Sequence, residues 1–320
     1  MQQKSGDLVI SLDFELLWGV FDKVEFSQYE NYFNNTRKVI PEILRYFERY
    51  GIHATWATVG MLFNKDWDEW NVSKPEIKPN YTNTLLSAYK YGDSIQNQNT
   101  GHLCFAPDLI GKIIETENQE LATHTYSHYY CREEGQNLES FREDLKLSIE
   151  KANSFGANLR SLVFPRNQLN ENYLKVCSDL GITSVRSNPN IWYWKDTEKD
   201  TLMQKIFRTG DAYIGKKDKP YHFSEIRKTH NLSVQPASRL LRPYSGKSIL
   251  DKRRIKRIFS EITTAAKEGK IYHLWWHPHN FGADPEESLR ELELILEHYK
   301  FCNERFGFQS YTMDEIHRKA

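Results

Sequence analysis

The side chains able to do chemistry fall in four short stretches: Asp13 and Glu15 in DLVISLDFELLWG, His124 and His128 in ELATHTYSHYY, Arg166 in SLVFPRNQ, and His277 and His279 in IYHLWWHPHN. Carboxylates and neutral imidazoles are the donors that hold a divalent ion. Two histidines with one carboxylate make an open three-ligand site with room for water. Each stretch alone has a plainer reading. D-x-E can be a strand reaching water, H-x-x-x-H two surface histidines, His277 or His279 a core histidine, and Arg166 one half of a surface ion pair. Their joint placement at strand ends argues for a site.

That placement follows from periodicity. In the first strand Ile10, Leu12 and Phe14 alternate with Ser11, Asp13 and Glu15, so one face is apolar and the other acidic. Burying two unpaired carboxylates costs several kcal/mol, which calls for a cation, a metal or protonation. A helix over Thr36 to Tyr50, capped by Gly51, leads to a strand over His53 to Val59. A helix from Pro107 to about Glu117 leads to a strand over Glu120 to Thr123, which sets His124 and His128 on a loop or helical turn just past a strand. A long helix over Asn137 to Gly156 and a strand over Ser161 to Phe164 follow. A helix over Glu171 to Leu180 then precedes a strand over Ile182 to Arg186. The last elements are a helix over Ile249 to Glu268, a strand over Ile271 to Trp276, a helix over Pro285 to Phe306 and a strand over Phe308 to Tyr311. Pro278 stops the penultimate strand, leaving His277 at its end. Chemistry collects at the C-terminal strand edge of such β/α units.

About seven parallel strands with intervening helices argue for α/β architecture, possibly closed into a barrel, in one domain over residues 1–320. Residues 64–104 and 188–246 lose periodicity. They are expected to be irregular, the first an excursion above the core, and either can cover a substrate pocket. Lys+Arg and Asp+Glu are balanced at 43 each, so no net charge steers the chain onto nucleic acid or an anionic membrane, and any patch must be local. Cys104, Cys131, Cys177 and Cys302 are widely spaced without C-x-x-C, which fits free buried thiols in a reducing compartment. With no leader-like start and no apolar run long enough to span a bilayer, a soluble cytoplasmic protein is expected.

The order of these motifs resembles the polysaccharide deacetylases of carbohydrate esterase family 4, the NodB-homology fold. The resemblance runs from Leu8 to about Glu315, with His124, Thr125 and His128 as its specific part, GIHATWATVG matching the second strand and FQSYTMDEI the closing strand and helix. It implies a distorted (β/α) barrel, a divalent metal, most often zinc, and removal of an N-acetyl group from an amino sugar or short saccharide. By family order Asp13 is the general base, Glu15 with His124 and His128 the metal ligands, and His277 the late catalytic acid, preferred to His279 because it directly ends its strand. The family pattern has two adjacent aspartates where Phe14 separates Asp13 from Glu15 here, so a shift of the strand makes Asp13 the ligand instead. Arg166, emerging after its strand as a candidate catalytic residue to pair with Asp13 or grip a substrate, follows Pro165, whereas the family arginine usually precedes the proline. Two other readings stay open: the same fold and metal acting on a formamide or ureide amide, and a catalytically silent glycan-binding module.

The motif reading carries a direct consequence. The protein is expected to bind about one equivalent of zinc, with His124→Ala or His128→Ala each weakening binding more than about tenfold by metal titration. Unchanged affinity in both variants removes the ion from this place.

Overall fold

Every residue of Asp7–Phe14 is buried, and this strand, β1, lies inside the sheet with parallel partners on both sides. The computed structural model describes residues 5–194, 201–214 and 219–320. The other strands are β2 (Ala54–Thr58), β3 (Gln119–Thr123), β4 (Ser161–Val163), β5 (Ser184–Ser187), β6 (Arg227–Thr229), β7 (Leu232–Pro236), β8 (Arg239–Leu240), β9 (Ile271–Trp276) and β10 (Gln309–Tyr311). The helices are α1 (Phe26–Tyr50), α2 (Trp67–Val72), α3 (Ala88–Ile95), α4 (Gly101–Cys104), α5 (Pro107–Glu115), α6 (Leu138–Ser154), α7 (Glu171–Asp179), α8 (Leu202–Ile214), α9 (Ser248–Glu268), α10 (Pro285–Phe306) and α11 (Met313–Lys319).

Neighbouring strands run in the order β6-β7-β5-β4-β3-β2-β1-β9-β8, with β10 paired to the first half of β1. Every pairing is parallel except β6 with β7. After β7 the chain crosses the open side. Ala237 N donates to Ser187 O and Ser238 N to His273 O, both at 2.8 Å, before β8 joins β9. This crossing curls the sheet into the distorted barrel that the β/α alternation predicts.

Register aligns the strand ends. Phe14, Thr58, Thr123, Leu162 and Val185 form one row across β1 to β5, so residues just before or after that row share one rim. Ile10, Leu12 and Phe14 face outward and are buried with Val39, Ile43 and Phe47 of α1. On the inner face Ala57 and Ala122 stand level with Asp13, and their small side chains leave room beside it.

Three expectations change. Helix α1 begins at Phe26 rather than Thr36. Residues 64–104 hold α2, α3 and α4 and bury Trp70, Tyr89 and Leu103, so this segment is part of the core and not an excursion above it. Its helices are short and announced by caps rather than by periodicity: Asp66 accepts from Glu69 N, and Ser87 from Lys90 N. Trp70 stacks on Trp18 at 6.3 Å, and Trp18 Nε1 donates to Cys104 O at 2.7 Å, which ties this segment to the turn after β1. Residues 188–246, expected to be irregular, supply β6, β7, β8 and α8, which raises the strand number from about seven to ten among the described residues. Residues 195–200 and 215–218 of that segment lie outside the described residues.

The short strand β8 is held by charge. Arg239 donates through Nε and Nη2 to Glu261 of α9 at 2.6 and 2.5 Å, and Tyr272 Oη donates to Glu261 Oε2 at 2.8 Å, all buried. Removing one partner of such a pair strands the other charge. Glu261→Ala is therefore expected to cost about 3–5 kcal/mol in chemical denaturation, and the apolar pair Arg239→Met with Glu261→Leu to recover most of it. A loss below about 1 kcal/mol contradicts this role for the pair.

Candidate active site

β1 delivers Asp13 from its inner face, and Glu15 follows at the start of a 3-10 turn, Leu16–Gly19. Leu16 adopts φ 47°, a left-handed conformation unusual for leucine, and the chain folds back sharply there. A Cβ on Gly19 would fall 1.9 Å from Glu15 Oε2, so only glycine lets that backbone pass the carboxylate. Asp13 and Glu15 are 2% and 3% exposed.

The two histidines leave β3 on an irregular loop and not a helical turn. Thr125 and His128 take φ of 63° and 55°. The loop keeps this shape because its backbone is satisfied from three sides. Asp144 of α6 accepts from Tyr126 N at 2.7 Å, from Ser127 N at 3.1 Å, and from Ser127 Oγ. Thr125 Oγ1 accepts from Tyr129 N at 2.7 Å. Gly60 N and Met61 N donate to Thr125 O and Tyr126 O at 2.8 and 2.9 Å. Burial raises Asp144 to about 6 despite these bonds.

Glu15, His124 and His128 converge, each offering one ligand atom, with all three atoms within 4.8 Å of one another. Glu15 Oε1 lies 2.9 Å from His124 Nε2 and 3.1 Å from His128 Nε2. Both ring nitrogens of His124 are buried without an aligned hydrogen-bond partner, which is the condition of a donor aimed at something else. His128 Nδ1 lies 3.1 Å from Tyr130 Oη, which fixes the ring and leaves Nε2 for the cluster. Burial pushes the Glu15 carboxyl up, but His277, His124 and His128 outweigh it and hold it well below the ordinary carboxylate range. Burial lowers His128 to about 4. Glu15 is therefore anionic and His128 neutral at neutral pH, the forms that bind a divalent ion, and the donor set fits one.

Asp13 has a different partner. Arg186, at the end of β5, donates to both its oxygens, Nη1 to Oδ1 at 2.7 Å and Nη2 to Oδ2 at 2.6 Å. The same guanidinium reaches Ser11 Oγ at 2.9 Å and Asn167 Oδ1 at 3.0 Å, and it lies 4.3 Å over the Trp275 ring. The motif reading missed Arg186. It stands at the end of the strand expected over Ile182 to Arg186. Arg166 instead pairs with Asp22 and stacks over Tyr130 at 4.4 Å. It lines the pocket without touching Asp13.

His277 Nε2 stands 3.7 Å from Asp13 Oδ2 and 3.8 Å from Glu15 Oε2, and the residue is partly open to the pocket. His279 is buried against it, ring centroids 5.0 Å apart, with Nδ1 3.7 Å from Glu15 Oε2; burial, with His277 beside it, lowers His279 to about 3. The cavity over these groups measures about 380 Å³, and Val20, Lys23, Leu240 and Arg242 line it further out. Of the two segments expected to cover it, only residues 188–246 contribute. Trp18 and Trp275 are buried in packing.

Carboxylates, imidazoles and two arginines thus share one rim of a mostly parallel α/β barrel. A family model for polysaccharide deacetylase matches residues 20–185, just over half the chain. The chain belongs to the polysaccharide deacetylase family. Solved structures agree on the fold. A Mycobacterium smegmatis protein classed as a polysaccharide deacetylase superposes with TM-score 0.60 at 14% identity, covering 100% of this chain and 92% of its own. One from Pseudomonas aeruginosa PAO1 gives 0.58 at 10%, covering 98% and 89%. An allantoinase gives 0.58 at 11%, covering 99% and 91%. No curated protein matches the chain in sequence.

The loop support is testable apart from catalysis. Asp144→Ala leaves two backbone N–H groups and a hydroxyl unsatisfied in the interior. It is expected to cost about 2–4 kcal/mol in denaturant melts and to weaken zinc binding about 10–100-fold in titration. Wild-type zinc affinity in this variant contradicts the positioning role.

Proposed function

We propose that the protein is a metal-dependent hydrolase that removes an N-acetyl group from an amino sugar or short saccharide. The observation that carries this reading is the division of two adjacent buried carboxylates. Glu15 converges with His124 and His128, while Asp13 is turned away into a bidentate pair with Arg186, and His277 faces both.

Glu15, His124 and His128 would hold a divalent ion, zinc being the expected one, which when bound would lower the pKa of water and polarise the acyl oxygen. Asp13 takes the proton from the attacking water, whose oxygen bonds to the acyl carbon. Arg186 holds the Asp13 carboxylate in one orientation and balances its charge. The C–N bond then breaks, and His277 Nε2 gives a proton to the departing nitrogen. Acetate and a free amino sugar result. Arg166 sits on the pocket wall, where it serves substrate placement and not the reacting atoms.

Asp13, Glu15 and His277 lie outside residues 20–185, so the catalytic unit in this reading spans the whole chain as one domain. A cavity of about 380 Å³, lined in part by Val20 and Leu240, is of a size that suits a short saccharide. All four cysteines are buried free thiols, in keeping with a cytoplasmic enzyme. Among the described residues no helix is long and apolar enough to cross a membrane. The allantoinase likeness is one of fold, and it keeps open a second reading in which the same centre acts on another C–N bond.

Asp13→Asn is expected to keep zinc and lose about two to four orders of magnitude in acetate release, while Glu15→Gln loses zinc. The reverse pattern exchanges the two roles. Faster release from formamido or ureido compounds than from N-acetyl sugars favours the second reading, and no release from any of them favours a silent glycan-binding module.

A further inference from the structure

Inside the cavity the two carboxylates already have partners. Asp13 is paired with Arg186, and Glu15 faces two imidazoles. Three cations line the same cavity: Lys23 on the connection from β1 to α1, Arg166 after β4, and Arg242 just past β8. Asp22 offsets Arg166. Among the described residues no carboxylate forms an ion pair with Lys23 or Arg242; Nη2 of Arg242 donates to the carbonyl of Arg208 at 3.1 Å. Because β9 lies between β1 and β8, these two cations flank the strand that carries His277.

The surroundings intensify this excess. Burial and then Arg166 lower Lys23 from its ordinary pKa, against Asp22 and Glu15. Burial lowers Arg242 likewise, and Arg239 and Arg254 add to the effect while Tyr213 and Asp211 oppose it. Each cation is partly desolvated beside another cation. An anion that reaches either one relieves its repulsion from those neighbours, Arg166 for Lys23 and Arg239 and Arg254 for Arg242, as well as forming a charge-assisted bond. A neutral sugar accepts hydrogen bonds from such a rim but brings no charge to it.

We propose that the substrate is an N-acetylated sugar carrying a phosphoryl group, which Lys23 and Arg242 hold at the mouth while the acetamido group reaches Asp13 and His277. Rigid cyclic sugars place an anomeric phosphate only a few bonds from a ring acetamide, so one small cavity can engage both. The proposal rests on the deacetylase reading for the acetamido end and on the cationic rim alone for the phosphoryl end. A nucleotide-linked and a lipid-linked sugar share this chemistry.

The test separates the two ends. Binding of inorganic pyrophosphate to the zinc-loaded full chain is measured by calorimetry for wild type, Lys23→Gln, Arg242→Gln and the double variant. Each single change is expected to weaken binding about tenfold, in line with the loss of one charge-assisted bond. Acetate release is then compared for an N-acetyl sugar 1-phosphate, a nucleoside diphosphate sugar, a short-chain lipid pyrophosphate sugar and the neutral parent sugar. The rim variants are expected to raise KM for the phosphorylated compounds at least about tenfold and to leave the neutral one unchanged. Arg242→Lys, which keeps the charge, is expected to restore part of the loss. Equal pyrophosphate affinity in wild type and double variant overturns the proposal whatever the activity. Weakened pyrophosphate binding without acetate release from any sugar sinks the deacetylase reading and leaves the anion site standing. A faster rate on the nucleotide sugar than on the lipid-linked one identifies the soluble source, and the reverse the lipid.

Discussion

Two carboxylates separated by a single residue, both almost fully buried, are the constraint on which the rest of the structure depends. Left side by side without positive charge they would not both stay ionised, and one would take up a proton. The fold avoids this by giving each its own partners from a different strand. β5 brings Arg186 to Asp13, and the loop after β3 brings two imidazoles to Glu15. Phe14 makes the division possible. Its side chain is buried in the outer core, and β1 ends with it, so Glu15 leaves the strand in a turn and looks along the rim instead of at Arg186.

Several exceptional backbone positions cluster around that arrangement. Leu16, Thr125, His128, Arg166 and Asn167 all adopt positive φ without being glycine, and all lie at strand ends on the functional rim. Such conformations cost of order 1–3 kcal/mol each and persist where packing and hydrogen bonds over-determine them. Here the determinants are visible. Asp144 and Gly60 hold the histidine loop, and Asn167 accepts from the guanidinium that holds Asp13. The rest of the barrel is conventional parallel packing, with bulky side chains outside and small ones beside the site.

Alternation in β1 was enough to send Asp13 and Glu15 to one face, and the spacing of His124 and His128 was enough to pair them. His277 could be read because Pro278 ends its strand. Arg186 went unread for a physical reason: SVRS is a four-residue strand, too short to show that its arginine faces inward, and its partner is far away in sequence. Arg166, beside a conspicuous proline, drew attention that its pairing with Asp22 does not support. The segments 64–104 and 188–246 looked irregular because their elements are short, and caps and strand crossings organise them more than periodicity does. Trp70 and Arg239, both buried, show how much of the core those stretches contain.

The central claim is that the two carboxylates have separate jobs, one in holding an ion and one in handling a proton. Anomalous diffraction at the zinc edge from a zinc-soaked crystal tests it most directly. The account predicts a single peak about 2.1 Å from a Glu15 oxygen and one nitrogen each of His124 and His128, with Asp13 still paired to Arg186 and outside bonding range. A peak ligated by Asp13, or one that leaves His124 and His128 unbound, would contradict it.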